Sequence, residues 1–369
     1  MVSGPDLRLE YEAALARHGY VADPAQALAI ARLDDVARRV RAAAAREAGV
    51  IGRLRGRLGG SAARRAERGL YLWGGVGRGK TFVMDVFAAH VGVPARREHF
   101  HRFMKDVHAR LRELRDTADP LARVAGDMAR DARVLCLDEL FVSDIADAML
   151  LGGLFAGLFE RGVTLVFTSN VPPSQLYRDG LQRQRFQPAI ALIERHAEVV
   201  NVDAGNDYRL RRLEKAPLYL DARAADAAQR LARRFEDLGD GPVAGPGAIE
   251  IEGRRIPYVA ATDETIWFEF AAICDGPRSQ ADYVEIARDF HTVAVSDVPR
   301  LDATQDNQAR RFIALVDEFY DRGVKLLLAA HAPPDNIYTG ERLRFEFQRT
   351  RSRLAEMQTT QYLGRPHRP

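Results

Sequence analysis

The chain has 369 residues, is 47% hydrophobic and carries a formal charge of +3, enough for two or three compact units with a sizeable core. Its two cysteines, Cys136 and Cys274, exclude a disulfide framework and fit a reducing compartment. No apolar run approaches the ~20 residues that span a bilayer, and the polar, acid-bearing N-terminus resembles neither a secretory signal nor a transit peptide, so a cytosolic protein is expected.

The first predicted unit, residues 1–65, is helical. Tyr11 and Leu15, then Ala25, Ala29, Leu33, Val36 and Val40, recur at helical spacing between Asp6 and about Arg57. Asp23-Pro24 supplies an N-cap and a proline at the first helical position. Gly59-Gly60-Ser61 breaks the pattern. Between Arg38 and Gly69 ten arginines face two glutamates, a local charge of +8 that would attract an acidic protein, lipid headgroups or nucleic acid. Only four of the 54 basic residues are lysine, so arginine is partly a compositional habit and a solvated helix and linker is the favoured reading.

Residues 66–205 read as short apolar strands alternating with helices: Leu70–Trp73, His99–Phe103, Val134–Leu137, Val163–Ser169 and Val199–Val202. That rhythm predicts a parallel α/β sheet whose ligand lies at the carboxyl ends of the strands. The first strand leads into Gly74-Gly75-Val76-Gly77-Arg78-Gly79-Lys80-Thr81, which is G-x-x-x-x-G-K-[ST]. Its glycines let successive N–H groups converge on one anion, and the following helix adds its positive end. In that pattern Lys80 meets the β- and γ-phosphates and Thr81 offers a hydroxyl to Mg²⁺.

Hydrolysis also needs a metal-orienting acid and a group that positions water. Val134–Leu137 ends in Asp138-Glu139, where Asp138 would hold Mg²⁺ and Glu139 would polarise the water. The next strand ends at Asn170, placed to touch the γ-phosphate or the water. Arg183 and Arg185 follow, where a ring-forming ATPase presents an arginine to its neighbour's γ-phosphate. His99, His101 and His108 cluster without cysteine or acids at ligand spacing, which favours a structural or substrate-contacting role over a metal site. Phe100, Phe103 and Met104 stand where many ring ATPases carry an aromatic pore loop.

In residues 206–369, Ala222–Leu238 reads as a helix. Ile249–Glu252, Arg255–Ala260 and Thr265–Phe270 read as antiparallel strands joined by Glu252-Gly253 and Thr262-Asp263. The stretch Gly153–Pro173 is echoed by Ala314–Pro334: a helix, an acid-Arg-Gly turn, an apolar strand and Pro-Pro. This is either a degenerate repeat that lost its P-loop or convergence on a common helix–turn–strand unit.

Taken in order, the P-loop, the Asp-Glu strand, the Ser-Asn strand end and the trailing arginines resemble an AAA-type ATPase. The chain is similar, more narrowly, to the AFG-like ATPase family. Leu70–Thr81, His99–Met104, Phe141–Gly153, Gly180–Phe186, Pro277–Tyr283, Ala309–Tyr320 and Phe345–Arg353 carry the likeness over nearly the whole length. The resemblance implies a P-loop NTPase core with helices on both sheet faces, ATP hydrolysis with Mg²⁺, and an ATP-dependent homo-oligomer. For bacterial members it implies association with the division-ring protein FtsZ at the cytoplasmic membrane, and for mitochondrial relatives turnover of inner-membrane proteins, so the expected partner is FtsZ or a membrane-associated protein. His331 departs from the acid expected at the second Pro-containing strand end. No Gly-Ala-Arg lid motif is present, leaving Arg349, Arg351 and Arg353 as substitutes. The expected function is a Mg-dependent ATPase that remodels a protein partner. The alternatives are a nucleotide-gated binding module with slow hydrolysis and a nucleic-acid-dependent ATPase, nucleic acid being the less expected partner.

Overall fold

A computed structural model describes residues 5–18, 22–48, 64–75, 77–203, 218–239, 242–251, 253–365 and 367–368. Arg53, Arg55 and Arg57 of the basic stretch, the Gly59-Gly60-Ser61 break, Val76 of the P-loop and Glu252 lie outside them. The chain divides into two compact units, residues 1–206 and 207–369.

The first unit opens with helices α1 (Leu7–His18) and α2 (Pro24–Ala48). Asp23 accepts from the amides of Ala25 and Gln26, as its sequence position predicts. Five strands follow: β1 (Gly69–Trp73), β2 (Ala95–His99), β3 (Val134–Asp138), β4 (Thr164–Ser169) and β5 (Ala197–Asn201). They form one parallel sheet in the order β2-β3-β4-β1-β5, with Leu70 opposite Val166 and Leu72 opposite Val200. The helices between strands are α3 (Lys80–His90), α4 (Phe100–Glu113), α5 (Pro120–Asp131), α6 (Ile145–Glu160) and α7 (Arg183–His196).

Strands β3 and β4 are buried along their whole length, as parallel strands covered on both faces must be. Side chains alternate between two cores. Tyr71, Leu135, Leu137, Leu165 and Phe167 pack with α4 to α7. Leu70, Leu72, Val134, Cys136 and Val166 pack with α1, α2 and α3. Burial pushes the Cys136 thiol up, so it acts as a packing residue.

One predicted strand is displaced. His99–Phe103 is not a strand: β2 is Ala95–His99, and α4 starts at Phe100. Phe100, Phe103, Met104 and Val107 follow helical i, i+3, i+4, i+7 spacing and are all buried. They are therefore core residues and not an aromatic pore loop. The true strand, Ala-Arg-Arg-Glu-His, is an edge strand whose polar sequence hides it from an apolar-run search. His99 therefore ends β2 and His101 lies in α4.

The second unit has a sheet in the order β6-β12-β11-β10-β9, from β6 (Tyr219–Asp221), β9 (Ala260–Ala261), β10 (Thr265–Glu269), β11 (Thr292–Val298) and β12 (Lys325–Ala330). β7 (Gly247–Ile251) and β8 (Arg254–Tyr258) form a separate antiparallel hairpin. β10 departs from the expected antiparallel set, because it pairs parallel to β11 and antiparallel only to the two-residue β9. The helices are α8 (Ala227–Leu238), α9 (Phe270–Cys274), α10 (Gln280–Asp289), α11 (Asp306–Asp321), α12 (Arg344–Glu356) and α13 (Thr360–Leu363).

β10-β11-β12-β6 follows the same chain-order pattern as β2-β3-β4-β1. Tyr177 and Phe186 stack edge to face at 5.6 Å, and Tyr338 and Phe347 lie at 5.4 Å at the matching place in the second unit. Asp297, at the end of β11, has φ +54°, close to the +56° of Glu139 at the end of β3. No P-loop sequence follows β6.

Candidate active site

The strand order brings the predicted residues to one edge. β4 lies between β3 and β1, so Asn170 falls between the Asp138-Glu139 pair and the P-loop. Gly77 and Gly79 both have φ +75°, which a side chain rarely adopts. Gly79 caps α3, and Lys80 and Thr81 begin it, so the helix N-terminus and the loop amides face one place. Gly75 N–H donates to the Asp203 carboxylate at 2.5 Å, so this loop amide already points at a negatively charged group. Arg78 lies 3.9 Å from the same carboxylate. Gly74, the first residue of the loop, donates its N–H to Ser169 O at the end of β4 at 3.3 Å.

Lys80 Nζ donates to Gly74 O at 2.8 Å, Gly75 O at 2.7 Å and Asn170 Oδ1 at 3.1 Å. Lys80 and Asn170, 90 residues apart in sequence, thus share one site. Thr81 Oγ1 donates to Asp138 Oδ1 at 3.3 Å. Asp138 is fully buried at the end of β3. Its Oδ1 also accepts from the Thr168 hydroxyl, and its Oδ2 accepts from Arg97 Nη2 at 2.7 Å. A hydroxyl and a carboxylate oxygen this close are hard oxygen donors that fit a Mg²⁺ ion retaining several waters.

Glu139 carries φ +56°, a left-handed conformation that costs a bulky residue of order 1–3 kcal/mol. Its backbone N–H donates to Thr168 Oγ1 at 2.8 Å, and Leu140 N–H to Thr168 O at 2.7 Å. Strand β4 therefore holds the turn that aims Glu139. Such strain persists where neighbours over-determine it, and it clusters at functional sites.

The remaining candidates are placed differently. Arg183 Nη2 donates to Ser174 O at 2.7 Å, whereas Arg185, in the first turn of the same helix, is exposed. His99 Nε2 accepts from Arg97 Nη1 at 3.1 Å, and burial pushes its pKa down to about 4, so the ring is neutral at pH 7. His101 stacks on His99 at 6.1 Å, and His108 pairs with Asp147 at 2.7 Å. Arg351 pairs with Asp335, Arg353 with Asp317 and Asp321, and Arg349 with Asp317, all within the second unit.

Four participants escape a sequence search: Gln26, Arg97, Thr168 and Asp203. Each meets its partner across 29 to 128 residues. The one local signal is Thr168, a hydroxyl that breaks an apolar strand just before its end.

Residues 6–366 match the family described as AFG1-like ATPase. The chain is 50% identical over 301 residues to the cell division protein ZapE of Escherichia coli K12, covering 81% of this chain and 80% of that protein. It is 37% identical over 342 residues to lactation elevated protein 1 homolog B of Danio rerio, covering 80% of this chain and 68% of that protein. Among solved structures, AMPPCP-bound DnaA from Aquifex aeolicus aligns with 53% of this chain and 52% of its own, at 14% identity and a TM-score of 0.34.

Proposed function

The chain belongs to the AFG1-like ATPase family, and from that premise we propose a Mg²⁺-dependent ATPase that couples turnover to remodelling of a protein partner in bacterial cell division. The protein binds and hydrolyses ATP, as its family and P-loop require. The observation that carries the proposal is the convergence of Lys80, Thr81, Asp138 and Asn170 at one sheet edge, with Glu139 held in a strained turn beside them.

In this site the loop amides and Lys80 bind the β- and γ-phosphates, and Lys80 exchanges its bonds to Gly74 O and Gly75 O for phosphate oxygens. Asp203 gives up the Gly75 amide to the incoming anion. Thr81 and Asp138 would hold the metal, and Mg²⁺ would supply charge neutralisation to the phosphate group under attack. Glu139 polarises water for attack on the γ-phosphorus, and Asn170 orients that water or the γ-phosphate. Arg185 completes the site of a neighbouring subunit, with Arg183 as the alternative, in an oligomer assembled by ATP.

The ZapE relative is a cell division protein, which supports a division partner, with FtsZ the first candidate, at the inner face of the cytoplasmic membrane. Among the described residues no helix is long and apolar enough to cross a membrane, and the association proposed here is peripheral. Residues 1–65, 66–205 and 206–369 act as helical segment, ATPase core and C-terminal region. The shared strand order and the repeated tyrosine–phenylalanine pair support a degenerate repeat of the core in the last of these.

The test is an ATP-locked trap. Glu139→Gln should retain ATP, stop multiple turnover and co-sediment with FtsZ in ATP but not in ADP. Undiminished turnover by Glu139→Gln would remove the assigned base. Wild-type turnover that stays below one per assembled site would favour a nucleotide-gated module instead. FtsZ sedimentation unaffected by nucleotide would remove that partner.

A further inference from the structure

Arg97 stands outside every motif in the sequence, yet it touches the centre of the site. It lies on edge strand β2, opposite Cys136 of β3, and only 14% of its side chain is exposed. Nη2 donates to Asp138 Oδ2 at 2.7 Å, Nε lies 2.9 Å from Asp85 Oδ1, and Nη1 lies 3.1 Å from His99 Nε2. Asp85 is on α3, four residues after Thr81 and so on the same helix face. One guanidinium therefore ties the helix that carries Thr81 to the strand that carries Asp138.

The two oxygens of Asp138 are divided between two environments. Oδ1 faces the hydroxyls of Thr81 and Thr168, and Oδ2 faces Arg97. Arginine thus occupies the oxygen turned away from Thr81. It leaves Oδ1 on the side of the Thr81 hydroxyl and fixes the carboxylate plane. A planar guanidinium suits this role because its donors leave at set angles, whereas an ammonium is a point charge that cannot hold two acids in one orientation. A fully buried aspartate without a partner would also carry a large desolvation cost.

We infer that Arg97 is a positioning residue for the metal: by bridging Asp85 and Asp138 it holds Asp138 Oδ1 beside Thr81 Oγ1, the two oxygens that would hold Mg²⁺. This rests on the Mg²⁺ dependence proposed above. Partners that orient a ligand typically contribute 10- to 100-fold to metal affinity.

The experiment measures the affinity of the full-length protein for a fluorescent ATP analogue in EDTA and in saturating Mg²⁺. The ratio of the two dissociation constants isolates the metal's contribution without reading turnover. Arg97→Gln should lower this ratio about tenfold relative to wild type while leaving the EDTA value nearly unchanged. Arg97→Lys should fall between the two. Asp85→Asn, at a carboxylate that is 40% exposed, should shift the ratio in the same direction by less. A wild-type ratio in Arg97→Gln, with or without loss of thermal stability, would overturn the inference. A raised ratio would do so too, because it would mean that Arg97 competes with the metal. If Arg97→Gln does not fold, an unchanged ratio in both Arg97→Lys and Asp85→Asn is decisive against the bridge. A ratio of one in wild type would instead withdraw the Mg²⁺ dependence itself, and the bridge with it.

Discussion

Gln26 Nε2 donates to the backbone carbonyl of Arg78 at 3.1 Å, binding the second helix of the chain to the P-loop. Its Oε1 accepts from the Tyr11 hydroxyl at 3.0 Å, so both N-terminal helices brace the loop. The contact leaves no room beside it: a Cβ on Gly79 would come within 2.4 Å of Gln26 Nε2. Gln26→Ala should weaken ATP binding by about 1 kcal/mol, roughly fivefold, through a less ordered loop. Gly79→Ala should weaken it by about 2–3 kcal/mol, because the end of the Gln26 side chain must move aside and a β-carbon at φ +75° is itself strained. In the double variant the clash is gone but φ +75° remains, so binding should return only in part. Calorimetric titration with ATP checks all three, and full recovery in the double variant would show that the backbone conformation is unimportant.

Glu139 pairs chemistry with strain, so its substitutions should separate the two. Glu139→Gln keeps the shape and loses the base, and turnover should drop by roughly 10²–10⁴ with ATP affinity intact. Glu139→Gly should lose turnover equally while leaving thermal stability unchanged or higher, because glycine accepts φ +56° without penalty. Steady-state hydrolysis and thermal melts distinguish the pair. A glycine variant that melts lower would mean that the Glu139 side chain supports the fold.

Assembly is tested by complementation. Arg185→Ala should bind ATP and lose most turnover, while Lys80→Ala should lose ATP binding. Mixed together, some interfaces join a sound P-loop to a sound arginine, and part of the activity should return. Mixed oligomers without recovered activity, or a fully active monomer, would exclude a shared site completed by Arg185.

The pair Arg133–Glu47 should govern acid stability of the first unit. Arg133, almost fully buried at the start of β3, donates Nη1 to Glu47 Oε2 at 2.6 Å and Nη2 to Oε1 at 2.7 Å. These bonds, with the nearby Arg64, hold the Glu47 carboxyl below its usual range. A depressed carboxylate stabilises the fold above its unfolded pKa and ceases to do so as pH falls through the folded one. Glu47→Gln should therefore cost about 1–2 kcal/mol at pH 7. That deficit should shrink as the pH is lowered below about 4.5, the ordinary carboxylate value. Thermal melts across pH 3.5–7.5 check it, and a pH-independent deficit would contradict the ionic origin.

The groups proposed to bind phosphate were legible because their chemistry is local. Gly77, Gly79, Lys80 and Thr81 must be adjacent in the chain for one turn to present amides, charge and hydroxyl together. Asp138-Glu139 and Asn170 were legible because a parallel sheet places strand ends at a common edge, and β1, β3 and β4 are apolar enough to be read as strands. The same logic missed β2, whose polar edge sequence carries no apolar run, and moved His99–Phe103 into the wrong element.

What only the tertiary structure decided is which polar groups meet. The order β2-β3-β4-β1-β5 puts β2 beside β3, so Arg97 reaches Asp138 across 41 residues. It puts β5 beside β1, so Asp203 reaches Gly75 across 128. No local propensity encodes these pairs. Burying an acid such as Asp138 demands a partner, but the chain supplies 54 basic residues, and strand neighbourhood alone selects the one that answers it.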